Sequence, residues 1–179
     1  MKEIIQNIGL IVVSITAIYG INAWRRELRG KKEYELAEEV LSLFYDCRDR
    51  LRAIRSPFSR TTEGSTREAD PRELPEQTEL LNRAYVVFER YQSSQEAFTK
   101  LFALRYRFMA VFGADAARPI EDFRVALNDV FISAQMLPIY WGERQGRVQV
   151  SDEQFRQHLK EMREHESVFW GTFSERDEF

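Results

Sequence analysis

From Ile4 to Trp24 the chain runs for 21 residues without a charge. It then switches to a highly charged pattern in which apolar residues recur every third or fourth position. As a helix, the uncharged stretch would rise about 30 Å, the thickness of a bilayer's hydrocarbon core. A helix satisfies its own backbone groups there, and Ser14 and Thr16 can bond to preceding carbonyls. Trp24 falls at the end of the run, where an amphipathic ring prefers the interface. The pattern predicts a transmembrane helix within residues 1–24. One rival is a buried helix of a soluble domain, favoured by Gln6, Asn7 and Asn22, which shorten the apolar stretch. The other is a cleavable signal peptide, but Ile21-Asn22-Ala23 is a poor cleavage site because Ile is bulky.

Arg25, Arg26, Arg29, Lys31 and Lys32 put five positive charges in eight residues, against Lys2 on the other side. The positive-inside rule therefore places the N-terminus outside and everything after Trp24 in the cytoplasm, as a single-pass protein of a cell's inner membrane. These residues, with Trp24, mark the expected membrane interface. They attract anionic headgroups in general, and their spacing selects no particular one.

Beyond this basic segment, 25–32, the pattern is helical. Leu36, Val40, Leu43, Cys47, Leu51, Ile54 and Phe58 recur at steps of three and four, and Pro57 ends the run. Gly30 is a possible kink or hinge between the membrane segment and the bundle. Residues 56–75 are rich in Ser, Thr, Pro and charge, and predict a mobile polar loop. Ser59, Thr61, Thr62, Ser65 and Thr66 are phosphate acceptors by type only. Leu80, Ala84, Val87, Tyr91, Ser94, Phe98, Leu101, Arg105, Phe108 and Phe112 form the next stripe, with Leu81, Phe88, Phe102 and Met109 beside it. Ser93-x-x-Glu96 matches a capping box, so 78–112 reads as one helix or two, and Gly113 suits its end.

Pro119 fits the first turn of a further helix, whose face is Ile120, Phe123, Leu127, Val130, Ala134, Leu137 and Trp141. Pro138 should kink or end it. Residues 142–147 read as a turn, and Ser151-Asp152-Glu153-Gln154 as a capping box. The last helix carries Phe155, Leu159, Met162, Val168, Phe169 and Phe173, and 174–179 is an acidic tail. Val148-Gln149-Val150 is too short to found a sheet. The fold expected is all-α: a single N-terminal transmembrane helix, then a cytosolic antiparallel bundle of about four helices over 33–173. Stripes this regular also suit a coiled coil between protomers.

Composition adjusts this picture in a few places. The 179 residues carry a net charge of −3, which tells against a nucleic-acid partner, and the 44% hydrophobic content supports a real core. One cysteine excludes an intramolecular disulfide framework, and its place in a stripe makes Cys47 a small core residue. Arg outnumbers Lys by 21 to 5, as GC-rich bacterial coding would produce.

Candidate chemistry is sparse. His158, Glu161 and His165 share one side of the last helix, but neither His follows a Glu by three, so boundary histidines bonded to neighbours are expected rather than a metal. Arg48, Arg52 and Arg55, with Arg60 beyond, form a row able to grip a phosphate, a nucleotide or RNA. Asp46 and Asp49 among them argue for a solvated, salt-bridged face. Arg105 interrupts an apolar stripe and implies either a buried carboxylate partner or a contact with solvent or another protein. No P-loop, dinucleotide fingerprint, nucleophile elbow or zincin motif is present. The expectation is a membrane-anchored, non-enzymatic interaction module that docks a protein partner or self-associates, without cofactor or metal. A membrane-tethered ligand or stress sensor is the second reading, and an enzyme without a recognisable motif the third.

Overall fold

A computed structural model describes residues 2–60, 62–142 and 151–171, with side chains from Tyr19 onward. Four helices follow in order: α1 (Lys2–Ile54), α2 (Pro75–Phe112), α3 (Ala114–Gly142) and α4 (Asp152–Phe169). No strand occurs among the described residues. The chain divides into two units, Met1–Ser42 and Leu43–Phe179.

The first unit is the greater part of α1. The helix passes Gly30 unbroken, so the kink considered there does not occur. A mid-helix Gly costs about 1 kcal/mol against Ala, too little to stop a helix carried by good formers on both sides. Tyr19, Ile21, Trp24 and Leu28 are exposed, as are Arg25, Arg26, Arg29, Lys31 and Lys32. Leu36 and Val40 are buried. Among the described residues, no helix is long and apolar enough to cross a membrane. The side chains of 4–18, on which the expectation of a span rests, lie outside that set.

The second unit is a helical bundle. Its α2 and α3 are joined by Gly113 alone, whose φ of 91° reverses the chain where a side chain would be strained. The reversal makes the two helices antiparallel neighbours: Phe98 stacks on Phe123 at 6.1 Å, and farther from the turn Phe88 stacks on Phe131 at 5.3 Å. Tyr91 meets Phe131 edge-on at 4.9 Å, and Phe44 of α1 lies 5.3 Å from Phe123. Phe98, Leu101, Val130 and Leu137 are fully buried, and Leu127 nearly so. The stripes that also suited a coiled coil are thus used within the chain. Cys47 is buried with them, and burial, reinforced by Asp46, pushes its thiol up to about 11.

Several local signals resolve differently from expectation. The span 78–112 is one helix, because Ser93 does not cap: its hydroxyl donates back to the Arg90 carbonyl at 2.7 Å. Helix α3 starts at Ala114, directly after the Gly113 reversal, so Pro119 lies inside rather than opening it. Pro138 does not end α3 either. Leu137 and Trp141 on its flanks are buried, and the Trp141 indole donates to Glu166 of α4 at 2.9 Å, which offsets a lost backbone bond. Ser151 and Gln154 do form the capping box that opens α4. The α3–α4 pairing is antiparallel too: Ser133 reaches His165, while Tyr140, farther along α3, reaches Glu161 and His158. Residues 143–150 and the tail 174–179 lie outside the described residues.

Candidate functional site

Among the described residues four clusters of polar side chains stand out, and two of these are helix ends. A helix leaves its last carbonyls without N–H partners, and an arginine fork near the C-terminus satisfies them while complementing the dipole. Arg55, directly after α1, is 2% exposed. Its Nε donates to the Val168 carbonyl at 2.8 Å, and its Nη2 to those of Ser167 and Trp170 at 3.1 and 3.2 Å. Gly171 N–H returns a bond to the Arg55 carbonyl at 2.7 Å. Arg55 therefore does not belong to a solvated row and offers no fork to an anion: it caps α4.

Arg90 does the same for α1. Its Nη1 donates to the carbonyls of Ile54 and Ser56 at 3.1 and 2.8 Å, and its Nη2 to that of Phe58 at 2.6 Å and to Glu63 at 2.7 Å. The Arg90 bond holds the Glu63 carboxyl below its ordinary range. Nothing in the spacing of Arg90 distinguishes it from the surface arginines around it, so sequence reading missed it.

The third place is the segment 56–75, expected as a mobile loop and found tied to α2. Glu89 accepts from Gly64 N–H at 2.6 Å, from Thr66 N–H at 3.0 Å and from the Thr66 hydroxyl. Burial raises the Glu89 pKa, but these donors outweigh it and the group stays below its ordinary value. Gly64 sits at φ 84°, where a Cβ would come within 2.0 Å of the Asn82 carbonyl oxygen. Arg67 bridges to Asn82 at 3.0 Å and to Glu73 at 2.8 Å. That Arg67 bond, aided by the Asp70 N–H, lowers Glu73 to about 2. Turn residues with charged side chains at short sequence distance made this segment look bare, although they bond across 15 to 25 residues.

The fourth place is an open groove of about 1120 Å³ between α3 and α4, lined by Met136, Ile139, Tyr140, Gln154, His158 and Glu161 among others. The Tyr140 hydroxyl and Gln157 amide donate to Glu161 at 3.2 and 2.6 Å, and with Gln157 leading they hold its carboxyl low. His158 is buried, with its ring 5.2 Å from that of Tyr140. His165 Nδ1 lies 3.1 Å from Ser133 Oγ. Both histidines pack on α3. Among the described residues, no group of three or more His, Cys, Asp or Glu converges on a point where a metal could sit.

The remaining candidates separate cleanly. Arg48 pairs with Asp49 at 3.0 Å, Arg52 approaches the same carboxylate at 3.9 Å, and both lie on an exposed face. Arg105 pairs with Glu121 across the α2–α3 turn and lies 4.6 Å over the Tyr106 ring, which explains its place in an apolar stripe. In the first unit Lys31 is 3.9 Å from Glu35, and Trp24, Arg25, Arg26, Arg29 and Lys32 remain exposed. No protein family, curated protein or solved structure matches this chain.

Proposed function

We propose that the protein is a membrane-anchored, non-enzymatic helical module, held by its N-terminal segment with the bundle at the cytoplasmic face, where it docks a protein partner or self-associates. One observation carries the reading: α1 runs without a break from the uncharged residues 4–24, through exposed Trp24 and the five basic residues, into the helical bundle. A single helix that changes at one point from uncharged to strongly basic matches the two solvents of a membrane boundary. Arg55, Arg90, Glu89 and Glu73, engaged in helix capping or in fixing 56–75, support the non-enzymatic part.

Alkaline carbonate washing of membranes from expressing cells, followed by protease treatment of intact spheroplasts, tests it. An anchored protein stays in the pellet and its bundle stays uncut. Release by carbonate, or cleavage of the bundle from outside, would refute the anchor or its orientation. Cross-linking then addresses the partner: recovery only as a lone monomer refutes docking and self-association. The α3–α4 groove favours a second reading, a tethered sensor, because Tyr140, His158 and Glu161 converge on one concavity. A small-molecule screen against the detergent-solubilised chain distinguishes the two.

A further inference from the structure

The five basic residues after Trp24 are not equivalent once they are on a helix. Tyr19, Asn22, Arg26 and Arg29 are spaced by three, four and three, so they share one side of α1, and Arg25 stands one turn before Arg29 beside them. These five exposed side chains line an open hollow of about 520 Å³. Trp24 and Leu28 lie on the other side of the helix, as does Lys31, which faces Glu35. Among the described residues no carboxylate, carbonyl or ring engages Arg25, Arg26 or Arg29, although Glu33 stands one turn beyond Arg29. Arg48, Arg50, Arg67 and Arg90, by contrast, are each tied to a carboxylate.

Three unengaged guanidinium forks on one face, with an amide and a phenol beside them, can surround a tetrahedral oxyanion. A fork matches phosphate oxygens in pairs, where a lysine ammonium acts as a point charge. The geometry points to a binding site for a phosphate monoester, formed by Arg25, Arg26 and Arg29 with Asn22 and Tyr19. The inference rests on the anchor reading, because that places Arg25, Arg26 and Arg29 at the headgroup level, just beyond Trp24, where a phosphatidate-type lipid would supply the group. A free phosphate ester offers the same chemistry from solution. A monoester is favoured over a diester because it presents three terminal oxygens and a charge of about −1.5 to −2 near pH 7, enough acceptors to engage more than one fork.

The full chain is reconstituted in zwitterionic bilayers containing charge-matched phosphatidic acid and phosphatidylglycerol, extracted in mild detergent, and its retained lipids are counted by mass spectrometry. The expected result is about tenfold enrichment of phosphatidic acid, the ratio one strong hydrogen-bonded contact supplies. Joint replacement Arg25→Lys, Arg26→Lys and Arg29→Lys keeps the charge and removes the forks, and the enrichment falls to parity. Lys31→Gln, on the other side of the helix, leaves it intact. Absence of enrichment in the native chain, or its survival in the triple Lys variant, overturns the site. Displacement of the retained lipid by millimolar inorganic phosphate assigns the site to free phosphate esters; persistence assigns it to lipid. If carbonate strips the protein from membranes, the anchor reading fails by itself. Calorimetric titration of the full chain with inorganic phosphate then decides the site: binding lost in the triple Lys variant upholds it, and no binding overturns it.

Discussion

Replacing Arg55 with Met keeps most of the side-chain volume and removes the guanidinium that caps α4. The carbonyls of Ser167, Val168 and Trp170 then lose their donors inside a region where Arg55 itself is 2% exposed. At about 1 kcal/mol for each unmade bond, three acceptors amount to about 3 kcal/mol. The lost interaction of a cation with the α4 dipole adds to this, and the avoided cost of burying a charge subtracts from it, so about 3 kcal/mol remains the expected loss. With a urea m-value of about 1–3 kcal/mol/M, the unfolding midpoint of the full chain should fall by about 1–3 M. The assay follows tryptophan fluorescence in a Trp24→Phe background, so that the signal comes from Trp141 and Trp170, both beside the cap. Arg52→Met is the comparison, since Arg52 makes only a 3.9 Å exposed approach to Asp49 and should cost under about 1 kcal/mol. If the two variants unfold at the same urea concentration, the capping argument is wrong.

Gly64→Ala places a Cβ against the Asn82 carbonyl at a positive φ, so it should release the segment from α2. Trypsin should then cut after Arg60, Arg67 and Arg72 many times faster than in the native chain, and unchanged cleavage would contradict the packing. Glu73, lowered to about 2 by Arg67 and the Asp70 N–H, stabilises the fold above its unfolded pKa of about 4.5, and that contribution is lost as pH falls from about 4.5 through about 2. The melting-temperature gap between native protein and Glu73→Gln should therefore be widest above pH 5 and close by pH 2; a constant gap refutes the assignment. Cys47, buried with its thiol raised to about 11, should resist aromatic disulfide reagents at pH 8 and react at once in denaturant. Fast reaction of the folded chain would show that the core around it opens.

The periodic stripes made the helices legible, and the buried residues of α3 follow the positions read from the chain: Ile120, Phe123, Leu127, Val130, Ala134, Leu137 and Trp141. Local punctuation was less informative. Pro119, Pro138 and the Ser93 box each carry an ordinary propensity signal, and packing or back-bonding overrides it. The polar clusters were the least legible. Arg48, Arg52 and Arg55 look alike along the sequence, yet two stay on an exposed face while the third enters the protein, because its partner carbonyls lie more than 110 residues away. Arg90 and Glu89 were passed over for the same reason, since no local pattern encodes a bond to a distant backbone group.

The residues 53–56 join parts of the chain that are made at very different times. Arg90 holds the carbonyls of Ala53, Ile54 and Ser56, while Arg55 between them holds the end of α4. During synthesis the guanidinium of Arg55 emerges more than a hundred residues before the carbonyls it will bond, so this corner cannot close until residues 167–170 have left the ribosome. Until then its charge must stay hydrated, which keeps the last turn of α1 open to water. Closure of this corner thereby waits on the end of α4, although most of the helices are encoded by contacts only a few residues apart.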